Sequence, residues 1–200
     1  PDSGANVDPA ICAPANGPFT VEIDHPYLPL VVGAHHVLEG LEGGTSLAHF
    51  ETDVLDETVE VAGVTARVVQ KTSLDGSTLE GVERLYFAQA PDGTVCLFGE
   101  AEGTLDGGLF VEADHWLAGE DGAVAAVFMP GNPAVGMVFE RYRDAESVET
   151  GEITFIGVPT ETPAGTFTDT LTVLEDGPSI KKYARDIGEV YDDGIVLISY

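Results

Sequence analysis

Apolar and polar residues alternate along most of the chain with a period of two. In the stretch TLEGVERLYFAQ, Leu79, Gly81, Glu83, Leu85 and Phe87 fall on one face, and Glu80, Val82, Arg84 and Tyr86 on the other. In ETVEVAGVTARVVQKTSL, Val59 and Val61 and then Val64, Ala66 and Val68 keep the same rhythm. GTFTDTLTVLE places Phe167, Asp169, Leu171 and Val173 on one side with threonines opposite, and DDGIVLISY is an apolar run. Such a period marks strands, because neighbouring side chains on a strand point to opposite faces. A helical period of 3.6 is missing, and the best helical candidate, PAICAPA, is interrupted by prolines.

Between the periodic segments stand LEGGTS, VAGV, LDGST, APDGT, LDGG, GEDGA, PGNP, VETGE, EDGP and YDDG. Their Gly, Asn, Asp and Pro residues supply the backbone angles that turns need. Strands of roughly 8–12 residues joined by turns predict an all-β protein: long antiparallel strands in a strongly curved sheet or open barrel, with little helix. Strand should cover at least about 40% of the chain. The opening PDSGANVDPAICAPANGP lacks the alternation. The expected organisation is a flexible N-terminal arm, residues 1–18, tethered by a disulfide, followed by a single β domain over residues 19–200.

Charge narrows the classes of partner. The chain carries 35 acidic and 8 basic residues, a formal net charge of −27. That field repels nucleic acid and anionic membrane surfaces and attracts cations. No run of about 18 apolar residues is present, so no membrane span is expected. A small molecule or a metal ion remains as partner. Self-repulsion of this size also predicts that stability rises with salt, since ions screen charges beyond about 10 Å at 0.1 M. The melting midpoint should climb between low and molar sodium chloride; a flat response would mean that the acids are already neutralised by bound cations.

Two cysteines, Cys12 and Cys96, are present, with no CxxC or Cys/His cluster around either. A zinc site is therefore a poor reading, and a Cys12–Cys96 disulfide tying the arm to the sheet is the better one, with two buried free thiols as the alternative. A disulfide implies an oxidising location: secreted, periplasmic or cell-surface.

IDHPYLPLVVG, ETVEVAGVTARVV, LYFAQAPDGTVCLFGE, GEDGAVAAVFMPGNPAVG, PAGTFTDTLTV and KYARDIGEV, in this order, resemble a family of exported bacterial proteins with no assigned activity. The resemblance spans roughly residues 19–191. It implies a secreted or surface-attached β-protein and brings no catalytic residues. The chain departs from the family pattern where His36 stands in place of an aromatic, and at His115 and Leu117, where the family has a small residue and a Glu. The resemblance thus implies that His36 fills an aromatic's place.

GAHHVLEG holds two of the five histidines, His35 and His36, side by side. On a strand they point to opposite faces. If Gly43-Gly44 forms a two-residue turn, pairings sum to 87, so that His36 opposes Glu51 and Leu38 opposes His49. His36, His49 and Glu51 would then share one face, a first shell for zinc or copper(II). A one-residue change of register undoes this, leaving two half-exposed histidines among apolar neighbours. In EADHWLAGEDGA, Asp114, His115, Glu120 and Asp121 are candidate calcium or acid–base groups, but the alternate-position Asp spacing of calcium loops is missing. The competing reading is a turn at Asp121-Gly122 beside Trp116.

No GxSxG or phosphate-binding glycine loop is present, and Ser46, Ser73 and Ser77 lie beside turns. The expected function is a non-catalytic exported binding module for a small apolar or amphipathic ligand, with AVAAVFMP and GIVLISY as lining or core. The alternatives are a metal-binding protein (zinc, copper or calcium) and, further off, a hydrolase. No cofactor beyond a divalent metal ion is suggested.

Overall fold

The turn chemistry reads directly into backbone geometry. At VAGV, Ala62 and Gly63 both take positive φ, 51° and 80°, and Val61 pairs with Val64 across them. That is the two-residue hairpin whose twist matches a twisted strand pair. The structure, a computed structural model, describes residues 6–42, 46–143, 147–176 and 179–200. Strand makes up 68% and helix 4%, well past the strand content expected.

The strands are β1 (Ile23–His25), β2 (Leu28–Leu30), β3 (His35–Glu42), β4 (Ser46–Val61), β5 (Val64–Asp75), β6 (Thr78–Gln89), β7 (Val95–Asp106) and β8 (Leu109–Leu117). They continue as β9 (Ala126–Met129), β10 (Val138–Arg143), β11 (Val148–Thr162), β12 (Gly165–Glu175), β13 (Ile180–Ala184), β14 (Gly188–Asp192) and β15 (Ile195–Ser199). The first two form a separate hairpin. The rest form one 13-stranded sheet, ordered β10-β11-β12-β13-β14-β15-β3-β4-β5-β6-β7-β8, with β9 paired to β7. Every ladder in it is antiparallel.

The sheet is strongly curled without closing through a ladder. Its edges nevertheless meet. The Val124 N–H, just before β9, donates to the Arg143 carbonyl of β10 at 3.3 Å, and Trp116 of β8 stands edge-on to Tyr142 of β10 at 4.9 Å. The curl gives the sheet an inner and an outer face, both largely covered. Leu97 faces inward while its neighbours Cys96 and Phe98, fully buried, face outward.

Residues 6–18 cover part of that outer face. Pro9–Cys12 and Pro14–Asn16 are short 3₁₀ turns, the first capped by Asp8, whose carboxylate accepts from the Ala10 N–H at 2.9 Å. Cys12 is bonded to Cys96, and Phe19 packs edge-on against Phe98 at 5.1 Å. The disulfide expected from the sequence is therefore formed, and Val7 and Ile11 of this segment pack against the core.

The β1–β2 hairpin sits against β12–β14 through a polar latch. The Tyr27 hydroxyl donates to Asp169 at 2.9 Å and accepts from Arg185 at 2.9 Å, while Arg185 pairs with Asp169 at 2.6 Å. Nearby the Asp186 N–H donates to the Pro26 carbonyl at 2.7 Å. His25 accepts from the Tyr27 N–H through Nδ1, so its Nε2 carries the proton donated to the Pro130 carbonyl at 3.0 Å. Burial lowers the His25 pKa and keeps the ring neutral. IDHPYLP, GTFTDT and KYARDI, far apart in the chain, meet here.

Candidate functional site

Inward-facing residues of β2, β4–β7 and β9 form one wall of an interior cavity of about 320 Å³. Leu28, Val54, Val69, Leu85, Phe87 and Phe128 make that wall apolar. The parity seen in the sequence holds here: Leu85 and Phe87 line the cavity together with Glu83, while Val82 and Tyr86 are buried on the opposite face. Of the two apolar runs considered as lining, AVAAVFMP supplies Phe128; GIVLISY supplies core, with Ile195 and Leu197 buried against Leu38, Ala48, Ala184 and Val190.

The other side of the cavity is ionic. Lys71, Arg141 and Lys181 line it, three of the eight basic residues in a chain of charge −27. Arg141 of β10 is 5% exposed. Its guanidinium lies 2.5 Å from Glu175 of β12, donates to the Tyr183 hydroxyl of β13 at 3.1 Å and stacks over the Phe128 ring at 4.1 Å. Gly151 of β11 makes room: a Cβ there would sit 2.9 Å from the Arg141 side chain. Lys181 of β13 contacts Asp192 at 2.6 Å, Glu189 at 3.7 Å and Glu175 at 4.0 Å.

Burial works against the charge on Arg141 and on Lys181, but their acidic neighbours outweigh it and hold both pKa values above the ordinary range. Burial pushes the Tyr183 phenol up as well. It also raises Glu189, against the pull of Lys181. This network is internally compensated.

A second group of acids lies beside it. Glu100 of β7 is the cross-strand partner of Leu85 and of Trp116, and Glu149 of β11 is the partner of Tyr142. Burial first, then repulsion from Glu83 and Glu102, pushes the Glu100 carboxyl up to about 7. A folded-state pKa raised above the unfolded value near 4.5 means the native form holds the proton more tightly. The stability this confers is whole below pH 4.5 and is lost as pH rises through 7. Glu100→Gln should therefore leave stability unchanged at pH 4.5 and raise it by about 1–2 kcal/mol at pH 8, allowing for partial exposure, or roughly 3–6 °C in melting midpoint. Paired melting curves at the two pH values check this; equal gains at both would contradict the charge argument.

The proposed metal shell is not assembled. The β3–β4 ladder pairs His36 with Thr52, Val37 with Glu51 and Glu39 with His49, so partners sum to 88 rather than 87. Glu42 pairs with Ser46, leaving three residues between them instead of two. The expected Gly43-Gly44 turn itself lies outside the described residues. One residue of loop length reverses the parity, and every side chain changes face relative to the expected pairing. His36 faces the cavity, whereas His49 and Glu51 lie on the outer face with Glu39, the Cα partner of His49.

His49 bridges Glu39 at 2.7 Å and Glu51 at 3.2 Å. Partial burial opposes its charge, but those two hydrogen bonds raise its pKa. His35, opposite in face to His36 as expected, pairs with Asp53 at 2.8 Å. Among the described residues no group of three or more His, Cys, Asp or Glu is placed to hold a metal ion. His36 packs as a ring, edge-on to Tyr200 at 6.4 Å and against Gly188, where a Cβ would lie 3.6 Å from it. Burial, and then His35, lower its pKa.

In EADHWLAGEDGA, His115 on β8 binds Glu112 at 2.8 Å and lies 3.5 Å from Glu120. Asp121 and Gly122 both take positive φ, as a turn there requires. The residues that sequence reasoning missed are Arg141, Glu175, Lys181 and Tyr183. Parity in TLEGVERLYFAQ placed Glu83 on the face of Leu85 and Phe87 but pointed to none of these four.

No protein-family model, no curated protein and no solved structure matches the chain. Among the described residues no helix is long and apolar enough to cross a membrane.

Proposed function

We propose that this is an exported binding module that holds a small amphipathic molecule inside its curled sheet. The observation that carries the reading is the two-sided cavity: an apolar wall running from Leu28 to Phe128 faces the ionic group around Arg141 and Lys181. A volume of about 320 Å³ is at the small end of ligand pockets. Taking roughly 30 Å³ per heavy atom, the share of a water molecule, the ligand has on the order of ten heavy atoms. The Cys12–Cys96 bond and the acidic surface support an exported location.

The test uses 1-octanol, an uncharged amphiphile of this size. Calorimetric titration should give saturable binding, and the melting midpoint should rise with concentration, because a ligand bound only to the native state stabilises it. Leu85→Trp, which fills the apolar side, should abolish binding while the protein stays folded by circular dichroism. Full binding to Leu85→Trp, or no binding to the natural sequence by 1-octanol or by its charged eight-carbon analogues, would defeat the reading.

A further inference from the structure

We propose that the ligand of this cavity is an amine, its apolar body against the Leu85–Phe128 wall and its ammonium group among Glu83, Glu100 and Glu149. This rests on the cavity reading above and adds the chemical class. The charges lining the cavity divide into two sets. Arg141 and Lys181 are matched by Glu175, Glu189 and Asp192 at 2.5–4.0 Å, leaving no free cation in that set. The other set is Glu83, Glu100 and Glu149, against Lys71 alone.

Lys71 does not neutralise these acids. It is the Cα partner of Glu83, yet its ammonium lies 4.2 Å above the Phe50 ring and makes no ion pair among the described residues. Glu83, Glu100 and Glu149 likewise make no ion pair with a described residue. A cavity with a hydrocarbon wall, the half-buried carboxylates of Glu83 and Glu100 and the exposed one of Glu149 favours an apolar molecule bearing a positive charge. Tyr142, its ring crossed with that of Trp116 at the seam where Glu100 and Glu149 come together, adds an aromatic surface of the kind ammonium groups select.

An anion meets the opposite conditions. It would approach a surface of charge −27 and arrive beside three carboxylates, with only Lys71 not already held by acids. The groups around Glu100 are Glu83 on β6, Glu102 on its own strand, Glu149 on β11 and Trp116 on β8. The cations that line the cavity are Lys71 on β5, Arg141 on β10 and Lys181 on β13. Burial first, and then the like charges near it, hold the Glu100 carboxyl at about 7, so that it is partly protonated around neutrality, and an ammonium ion beside it displaces that proton. Binding is thus coupled to proton release and tightens as pH rises from 6 to 8.

The experiment compares octylamine, octanoate and 1-octanol by calorimetry at pH 6 and pH 8. Octylamine is expected to bind at least about tenfold more tightly than octanoate at pH 8, and more tightly than 1-octanol, with the advantage reduced at pH 6. Glu83→Gln and Glu149→Gln should each weaken octylamine severalfold and leave 1-octanol unchanged. Glu100→Gln should remove the pH dependence. Glu161→Gln, a change at an exposed acid of β11, separates the site from general attraction to an acidic surface and should have no effect. Octanoate binding as tightly as octylamine, octylamine no better than 1-octanol, or an equal loss in Glu161→Gln overturns the amine assignment and leaves the cavity reading standing. Failure of all three compounds to bind overturns both.

Discussion

Removing the Cys12–Cys96 bridge is expected to lower the melting midpoint by about 8–16 °C. The two cysteines are 84 residues apart, and cross-linking a loop of that length removes roughly 4 kcal/mol of conformational freedom from the unfolded chain. For a domain of this size each kcal/mol corresponds to about 2–4 °C. The loss should not stop at the entropy term. Cys12 and Cys96 are both fully buried, and the bridge holds the segment that carries Ile11 and Phe19 over the outer face of β7. The double variant Cys12→Ala/Cys96→Ala, compared with the oxidised protein by scanning calorimetry, measures the effect without a reductant. A shift below about 2 °C would mean that the docked segment is held by its apolar contacts alone.

Arg141→Ala is expected to destabilise the fold by about 3–5 kcal/mol, because removing one partner of a buried ion pair strands the other. Glu175 would lose its closest cation among the described residues and keep Lys181, 4.0 Å away. The Tyr183 hydroxyl would lose its donor, and the Phe128 ring the guanidinium stacked over it. Replacing both charges, Arg141→Met with Glu175→Gln, should restore a good part of the loss, since no carboxylate is then stranded by the removal of Arg141. Denaturant unfolding of Arg141→Met, Glu175→Gln and the double variant gives the coupling energy. A single variant within about 1 kcal/mol of the natural protein would show that water enters and screens Glu175.

Much of the fold was legible. Alternation in TLEGVERLYFAQ sorted Leu85 and Phe87 from Val82 and Tyr86, and those pairs do lie on opposite faces. Gly, Asn and Asp marked the turns because they tolerate positive φ, as at Asp193-Gly194 between β14 and β15. The site was far less legible. The candidate group His36, His49 and Glu51 depended on a loop being two residues long, and the ladder leaves three. Nothing local announces such a difference, since either length suits a glycine-rich hairpin.

The sequence by itself determined that this chain is a sheet of long antiparallel strands, that neighbouring residues such as His35 and His36 part to opposite faces, and that Cys12 and Cys96 are available to each other. These follow from the stereochemistry of consecutive residues and from the scarcity of other thiol partners. Only the tertiary structure decided which face turns inward, how β3 registers on β4, and that Arg141, Glu175, Lys181 and Glu189 meet. Those four side chains come from four strands, β10, β12, β13 and β14, and converge because the sheet curls. Curl is the summed twist of thirteen strands. It is a property of the whole ladder and has no trace in the period of any one strand.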